Sequence, residues 1–294
     1  GWNWISFNLN SLDDSFHDDP TRLSIPTVFN DVNQSQISSF KSQDAYAQNF
    51  TYPDGTTSWF GSLSSLLVED MYMLSINIGD ESGIVDTIVY DGIAIQPQDH
   101  PIDINEGWNW IGYLGQKTID INSALSSMNS NSGDLIKSKT AFSIYASESL
   151  GWIGSLNSLN SGMGYMLKSS TSQTLIYPES SLYGSNDFRL EDNIYSTNYW
   201  EVNPSKHQYS MSVVAKINHK EGLDLTLNNI LAAFHNGECV GNIHAIKTNT
   251  NELLYFLTIY GNDNEIISFN YLDASTDVVY PVKNSINFYK NSIL

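Results

Sequence analysis

Cysteine is nearly absent from the sequence, because Cys239 is the only one, and a single cysteine excludes an intrachain disulfide. Cys239 lies beside Val240 in a predicted strand, where a small buried apolar residue is a better interpretation than a reactive thiol. A chain of 294 residues is long enough for two or three domains with ordinary cores. Domains of this size stand without cross-links, so the missing disulfide does not exclude secretion.

Basic residues are also scarce. Lysine and arginine together number 13 against 32 acidic residues, which makes the formal net charge −19. Such a charge opposes binding to nucleic acid and to anionic membrane surfaces. The sequence contains no run of about 18 apolar residues, the length that a membrane-spanning helix requires. We therefore expect neither a nucleic-acid partner nor membrane insertion.

Motifs of known chemistry are missing as well. The chain has no HExxH, no GxSxG, no phosphate-binding loop and no glycine-rich dinucleotide fingerprint. Its six histidines are not spaced as zinc ligands. We therefore predict that the protein is not an enzyme. A hydrolase that uses paired carboxylates remains an open alternative, since two acids about 5 to 10 Å apart cannot be inferred from sequence.

What the chain does contain is an internal duplication. GWNWISF at the N-terminus returns as GWNWIGY from Gly107, and three further segments return in the same order. The offset between copies falls from 106 to 96 to 93, which indicates two insertions in the first copy. Insertions concentrate in surface loops. The four pairs of anchors are Gly1 and Gly107, Lys41 and Lys137, Gly61 and Gly154, and Tyr72 and Tyr165.

The duplicated part predicts two homologous β-rich repeat domains, at residues 1–105 and 106–180. A single pseudo-symmetric domain is the alternative, because two units are too few for a solenoid. Short aromatic and β-branched runs between glycine, serine and asparagine clusters are typical of strands. One short helix for each copy is also predicted, at residues 121–128 in the second copy, where apolar residues recur at helical spacing.

The last third carries no repeat. Residues 181–198 are polar and predict a linker, and residues 199–294 predict an antiparallel β-sandwich of immunoglobulin-like size. Asn236 and Gly237 stand between two apolar runs and form the dipeptide most favoured in a tight hairpin. The expected fold class is therefore all-β.

Acidic residues offer one candidate site. Four aspartates fall within seven positions of a loop that only the first copy has, and Asp263 lies in a second oxygen-rich segment. Ca²⁺ prefers about six to eight hard oxygen ligands, so calcium is a candidate cofactor at these residues. A solvated acidic turn is the favoured alternative, because exposed Asp and Asn are ordinary turn residues. The four loop residues are Asp13, Asp14, Asp18 and Asp19.

Aromatic residues offer a second candidate site. Six tryptophans occupy equivalent positions in the two copies, and we expect such scaffold positions to be core. An aromatic residue outside the duplication is a better candidate for stacking on a sugar ring. Tyr52 in an insertion loop, with Tyr199 and Trp200 at the start of the sandwich, are the predicted ligand-binding residues.

The repeat motifs resemble a known group. The succession GWNWISF, IKSKTAF, GWIGSL, GMGYMLKS and LIYP resembles repeats of large secreted or surface-anchored proteins of Bacteroidetes, which are often exported by the type IX secretion system. MSVVAKI, ILAAFHNGECVG, YFLTIYGND and ISFNYLDASTDVVYPV resemble a β-sandwich module that accompanies such repeats. The resemblance implies an extracellular, multi-domain, adhesive or polymer-associated protein. It brings no catalytic residues.

These observations together predict a non-catalytic extracellular module for adhesion or structural assembly at the cell surface, as a stalk or filament subunit. Its expected partners are other copies of itself or neighbouring surface proteins, since unpaired sheet edges can join a neighbouring chain. The alternative is a carbohydrate-binding module of a secreted polysaccharide-degrading enzyme, with polysaccharide as the partner.

Overall fold

A computed structural model describes residues 1–12, 19, 21–29, 36–76, 88–181, 199–218, 226–248 and 251–294. The chain divides into two compact units. The first comprises Gly1–Ser138 with Ser158–Phe188, and the second comprises Lys139–Asn157 with Arg189–Leu294. Antiparallel strands dominate, and no helix among the described residues reaches seven residues, which confirms the all-β prediction. None of those helices is long and apolar enough to cross a membrane.

The first copy forms a five-stranded sheet in the order β1-β8-β4-β5-β6. Neighbouring strands in it run antiparallel. Two smaller ladders pair β2 with β9 and β3 with β7. The elements are β1 (Trp2–Ile5), β2 (Leu9–Ser11), β3 (Arg22–Leu23), α1 (Ile25–Val28), β4 (Ile37–Lys41), β5 (Tyr46–Thr51), β6 (Thr57–Gly61), β7 (Leu66–Leu67), β8 (Tyr72–Ile76) and β9 (Gly92–Ala94).

The second copy repeats this order. Within the first unit β11, β17 and β13 lie side by side, as β1, β8 and β4 do. The hairpin of β14 and β15, equivalent to β5 and β6, belongs to the second unit. The elements are β10 (Ile102–Ile104), β11 (Gly107–Gly112), β12 (Ile119–Asp120), α2 (Ile121–Ala124), β13 (Leu135–Lys137), β14 (Phe142–Ser147), β15 (Gly151–Gly154), β16 (Ser158–Leu159), β17 (Gly164–Ser169) and β18 (Gln173–Leu175).

Backbone hydrogen bonds join the two copies inside the first unit with pseudo-two-fold symmetry. Ser6 N donates to Gly162 O at 3.0 Å, and Gly112 N donates to Glu69 O at 2.7 Å. Ser6 and Gly112 are equivalent in the repeat, and so are Glu69 and Gly162. The part of the duplication in this unit is therefore one interlocked body, which agrees with the pseudo-symmetric alternative. The assignment of residues 1–105 and 106–180 to separate domains stays a prediction.

The duplicated tryptophans meet in one apolar cluster of the first unit. Lysines at equivalent positions lie over equivalent rings. Lys41 Nζ is 5.0 Å from the Trp2 ring centroid, and Lys137 Nζ is 5.2 Å from the Trp108 ring centroid. A cation over an aromatic face is attracted by the ring quadrupole. The cluster consists of buried Trp4, Met71, Met73 and Met166, against which Trp2, Trp108 and Trp110 pack.

The second unit contains a β-sandwich. Its two sheets have the strand orders β19-β23-β22 and β21-β20-β24-β25, and one apolar cluster contains buried residues from both. Asn236 and Gly237 form the turn of the predicted hairpin with φ of 50° and 85°. The strands are β19 (Tyr209–Ala215), β20 (Ile230–His235), β21 (Glu238–His244), β22 (Ile246–Lys247), β23 (Leu253–Gly261), β24 (Ile266–Asp273) and β25 (Val278–Asn287).

One local prediction needs adjustment, and another falls outside the described residues. The helix predicted at residues 121–128 is only the four-residue α2, which Asp120 caps by accepting from Asn122 N at 2.9 Å and Ser123 N at 3.2 Å. Serine-rich sequence beyond it lacks the propensity to extend the helix. The linker predicted at residues 181–198 lies outside the described residues except for Ser181, which is buried in a 3-10 turn, Glu179–Ser181.

Candidate functional site

Four aromatic side chains lie exposed on the hairpin of β5 and β6. Their exposed fractions are 53% for Tyr46, 52% for Phe50, 39% for Tyr52 and 56% for Phe60. We call these four residues the aromatic face. A contiguous group of exposed aromatic side chains marks an interaction surface.

Strand geometry places these rings together. Side chains alternate between the two faces of a strand, so Tyr46 and Phe50 share a face, while Ala47 points to the other and is buried. Phe60 is paired with Gln48 in the ladder and therefore lies on the same face as Tyr46 and Phe50. The buried side of the hairpin is anchored separately from this face.

That anchor is Trp59, whose indole stacks on Phe29 with ring centroids 5.8 Å apart. Phe29 in turn makes an edge contact with buried Phe40, at 5.4 Å. The hairpin is thus held by this inner-face packing and by the pairing of β5 with β4.

The turn of the hairpin positions Tyr52. Its backbone N donates to Thr56 O at 2.8 Å, and Asp54 accepts from Thr56 N and Thr56 Oγ1 at 3.0 and 2.7 Å. The Thr56 hydrogen bonds lower the pKa of Asp54. Gly55 has φ of 86°, which an L-residue rarely adopts. The Tyr52 ring packs edge-on against Phe50 with centroids 5.0 Å apart. Tyr52, predicted from its loop, therefore extends the aromatic face.

The equivalent face of the second copy is partly covered. Phe142, which corresponds to Tyr46, has no exposed surface. Its ring lies 5.8 Å from that of Phe256 on β23 of the sandwich, in the same unit. Ser155 Oγ donates to Phe256 O at 3.4 Å beside this contact. One hairpin therefore buries Phe142 of its outer face against a sheet and leaves Ile144 and Ile153 partly buried, whereas the other leaves its outer aromatic residues exposed.

Tyr199 and Trp200, the other predicted ligand residues, lie together in the second unit. Tyr199 is 46% exposed, and its ring makes an edge contact with Trp200 at 4.7 Å. Trp200 packs against Phe234 of β20 at 5.5 Å, and Asn242 Nδ2 donates to Trp200 O at 2.6 Å. The pair is held against the four-stranded sheet, with Tyr199 outermost.

The described aspartates of the calcium prediction are engaged by protein groups. Asp19 accepts from Thr21 and from Arg22 Nε, the latter at 2.9 Å, and these hydrogen bonds lower its pKa. Asp263 accepts from Lys290 N at 2.7 Å, and its other oxygen lies 3.7 Å from Lys290 Nζ. Asp13, Asp14 and Asp18 lie outside the described residues. Within the described ranges no three acidic, histidine or cysteine side chains are grouped to hold a metal.

A buried lysine in the second unit has no counterpart in the sequence-based predictions. Lys139 donates through Nζ to His207 O, and Nζ lies 5.7 Å from the ring centroid of Tyr260. Burial lowers the Lys139 pKa to about 8. Tyr260 hydroxyl donates to Lys139 O at 3.1 Å, and the His207 ring stacks on Tyr260 at 6.1 Å. The arrangement satisfies its own polar groups and shows no paired nucleophile and base.

Sequence reasoning missed three members of the aromatic face, although the duplication contains a signal for them. Phe50 and Phe60 are larger than their counterparts Ala146 and Ile153. An aromatic residue that replaces a smaller one at an equivalent position can be selected for a surface role. No family model, curated protein or solved structure matches the chain.

Proposed function

We propose that this protein is a non-catalytic extracellular module for adhesion or structural assembly, which contacts its partner through the aromatic face. The exposure of Tyr46, Phe50, Tyr52 and Phe60 on one hairpin carries the proposal. Burying these rings in a contact removes apolar surface from water and drives association. Extracellular location and export by a type IX route are part of the same proposal and are supported by the repeat resemblance.

Rigidity supports the proposal further. Trp59 and Phe29 hold the hairpin from below, and the Asp54–Thr56 hydrogen bonds hold its turn. A surface already in its binding conformation loses little entropy on association. Tyr and Phe are also enriched at protein interfaces.

Retention at a cell surface tests this function. Fluorescently labelled chain is applied to cells of the organism that encodes it, and bound label is counted after washing. We expect the Phe50→Ser/Phe60→Ser variant to lose retention by about tenfold or more, the equivalent of roughly 1.4 kcal/mol. The matched control is Ile266→Ser/Tyr280→Ser, which removes two exposed apolar side chains elsewhere. Equal retention of both variants, or turnover of a glycoside by wild type, would refute the proposal.

Carbohydrate binding is the second candidate function, and the Tyr199–Trp200 pair favours it. Tyr199 presents an exposed ring braced by Trp200, an arrangement that can stack on a sugar. Intrinsic fluorescence during titration with soluble xylan, glucan and chitin oligomers tests this candidate. Binding that Tyr199→Ser abolishes and Phe50→Ser leaves intact would assign the sugar site to the second unit. If no spectral change is observed with any of these sugars, carbohydrate binding is rejected as a candidate function.

Calcium at the acidic loop remains part of the proposal. Thermal melts with calcium and with chelator test it, and a chelator-induced fall in midpoint is expected only if the ion binds the folded state. Asp13→Asn with Asp14→Asn should abolish that difference. An unchanged midpoint in wild type would remove calcium from the account.

A further inference from the structure

Two equivalent hairpins of this chain have different surroundings. β5–β6 and β14–β15 share their register where Gln48 opposes Phe60 and Ile144 opposes Ile153, and the second hairpin then has a register shift at Ala146. Their outer faces are apolar in both copies, apart from Gln48 in the first. The matched positions are Tyr46 and Phe142, Gln48 and Ile144, Phe50 and Ala146, and Phe60 and Ile153.

The second hairpin shows what such a face binds. Ile144 and Ile153 line a mostly apolar cleft, whose opposite wall includes Val214 of β19 and Leu254 of β23. Phe142 completes the contact against Phe256. The covering surface is thus the outer face of a sandwich sheet, made of aliphatic and aromatic side chains in alternate positions on adjacent strands.

We propose that the aromatic face of the first copy docks a β-sandwich sheet carried by another polypeptide, whose outer face presents aliphatic and aromatic side chains as β19 and β23 do. This inference rests on the proposed function and names the class of partner. The partner is a protein, because the equivalent face in the same chain is matched to a protein sheet.

The size of the side chains fits this assignment. A cleft of about 300 Å³ remains between the second hairpin and the sandwich, and Ala146, Ile153 and Phe256 are among its lining residues. The first copy has Phe50 and Phe60 at the positions of Ala146 and Ile153, and their rings would fill such a cleft. Filling apolar space at a contact improves packing and adds to its stability.

A second copy of this chain is a poorer partner. In each chain the outer face of β19 and β23 is already partly covered by the β14–β15 hairpin of the same chain. The wild-type chain alone is therefore expected to stay free of self-association through the aromatic face.

A graft within the intact chain tests whether a sandwich sheet accepts the aromatic face. Ile144→Gln, Ala146→Phe and Ile153→Phe together place first-copy residues opposite the sandwich. The control variant carries Ile144→Gln, Ala146→Ser and Ile153→Ser. We expect the graft to melt within about 2 °C of wild type and the control to melt about 5 °C or more below it. A graft as unstable as the control would overturn the proposal.

An opened chain tests docking between molecules. Ile144→Asp with Ile153→Asp drives the second hairpin off the sandwich and frees its outer face. Sedimentation velocity should show that this variant self-associates, and that adding Phe50→Ser and Phe60→Ser returns it to a monomer. Adding Tyr199→Ser instead is the control and should leave association intact. Association that survives Phe50→Ser and Phe60→Ser would overturn the proposal. If the Ile144→Asp/Ile153→Asp variant does not melt cooperatively, it is not folded, and the melting temperature of the graft is then the test of the proposal.

The outcomes separate this inference from the proposed function. Loss of cell retention in Phe50→Ser/Phe60→Ser together with an unstable graft would keep the function and reject the sandwich as partner. Wild-type dimers that this double variant dissociates would assign the face to a second copy, and polysaccharide binding that it abolishes would assign the face to sugar. Either result overturns the inference.

Discussion

Gly112 N donates to Glu69 O at 2.7 Å, across the boundary between the two copies of the repeat. The equivalent contact from Ser6 to Gly162 repeats it on the other side of the pseudo-symmetry. These bonds connect the strand that begins each copy with the segment before the closing strand of the other. The duplication therefore builds one body from two halves in the first unit, because neither half completes its backbone pairing alone.

The closeness of this contact predicts the cost of a side chain at Gly112. An added Cβ would lie 2.4 Å from Val68 O and 2.9 Å from Asp70 O, both backbone atoms that cannot swing away. We expect Gly112→Ala to lower the free energy of unfolding of the first unit by about 2 kcal/mol or more. Denaturant titration measures it, with exposed Ser64→Ala as the control. An effect below about 0.5 kcal/mol would contradict the interlocked arrangement.

Lys137 predicts a second stability difference. It is 1% exposed, and its Nζ lies 5.6 Å from the Trp4 centroid and 5.2 Å from that of Trp108. Its counterpart Lys41 lies over Trp2 and is less buried. Because desolvation strengthens a cation–π contact, Lys137→Met should destabilise by about 2 kcal/mol and Lys41→Met by under about 1 kcal/mol. Tryptophan-monitored unfolding compares them. The reverse ranking would show that the rings do not hold the lysine.

Asp70 predicts a pH dependence. Burial, with the nearby Glu69 charge, raises the Asp70 pKa from 3.8 to about 6. Between these values the unfolded chain loses the proton first, so stability falls as pH rises from about 4 to 6 and then levels off. Asp70→Asn should remove this fall and stabilise the chain at pH 7 by on the order of 2 kcal/mol. Unfolding midpoints across pH 3.5 to 7.5 test it, with exposed Asp103→Asn as the control. Parallel wild-type and Asp70→Asn profiles would reject it.

The buried side chain of Asn229 predicts that the stability of the sandwich is sensitive to substitution at this position. It is fully buried, donates to Tyr271 hydroxyl at 2.7 Å and accepts from Ala274 N at 2.9 Å. Asn229→Ala removes both hydrogen bonds, one of them to the buried Tyr271 hydroxyl, and should cost about 2 to 3 kcal/mol. Neighbouring Asn228 is exposed, so Asn228→Ala should be within about 0.5 kcal/mol of wild type. Similar losses in the two variants would show that the amide network is not structural.

Much of the sandwich followed from local pattern. Asn236 and Gly237 predicted the hairpin because a tight turn requires positive φ, and both residues have it. The strand β25 was not predicted, since most of its side chains are exposed and the buried–exposed alternation that marks a half-buried strand is weak. Its pairing with β24 is seen only in the tertiary structure.

The aromatic face could be predicted from the sequence only in part. Tyr52 stood out because it lies in an insertion, but Tyr46 and Phe60 lie in apolar strands that are indistinguishable from core strands by composition. Whether an apolar face is core or surface depends on what packs over it. Phe142 and Tyr46 are equivalent in sequence and have opposite exposures.

Amino-acid order by itself determined the duplication, the all-β class and the tight hairpin turn, because each depends on residue types at short range. Tertiary structure alone decided that the two copies interlock and that only one of their hairpins is partly covered. Both outcomes depend on which distant strand arrives at a given face, and burial is a property of that pairing.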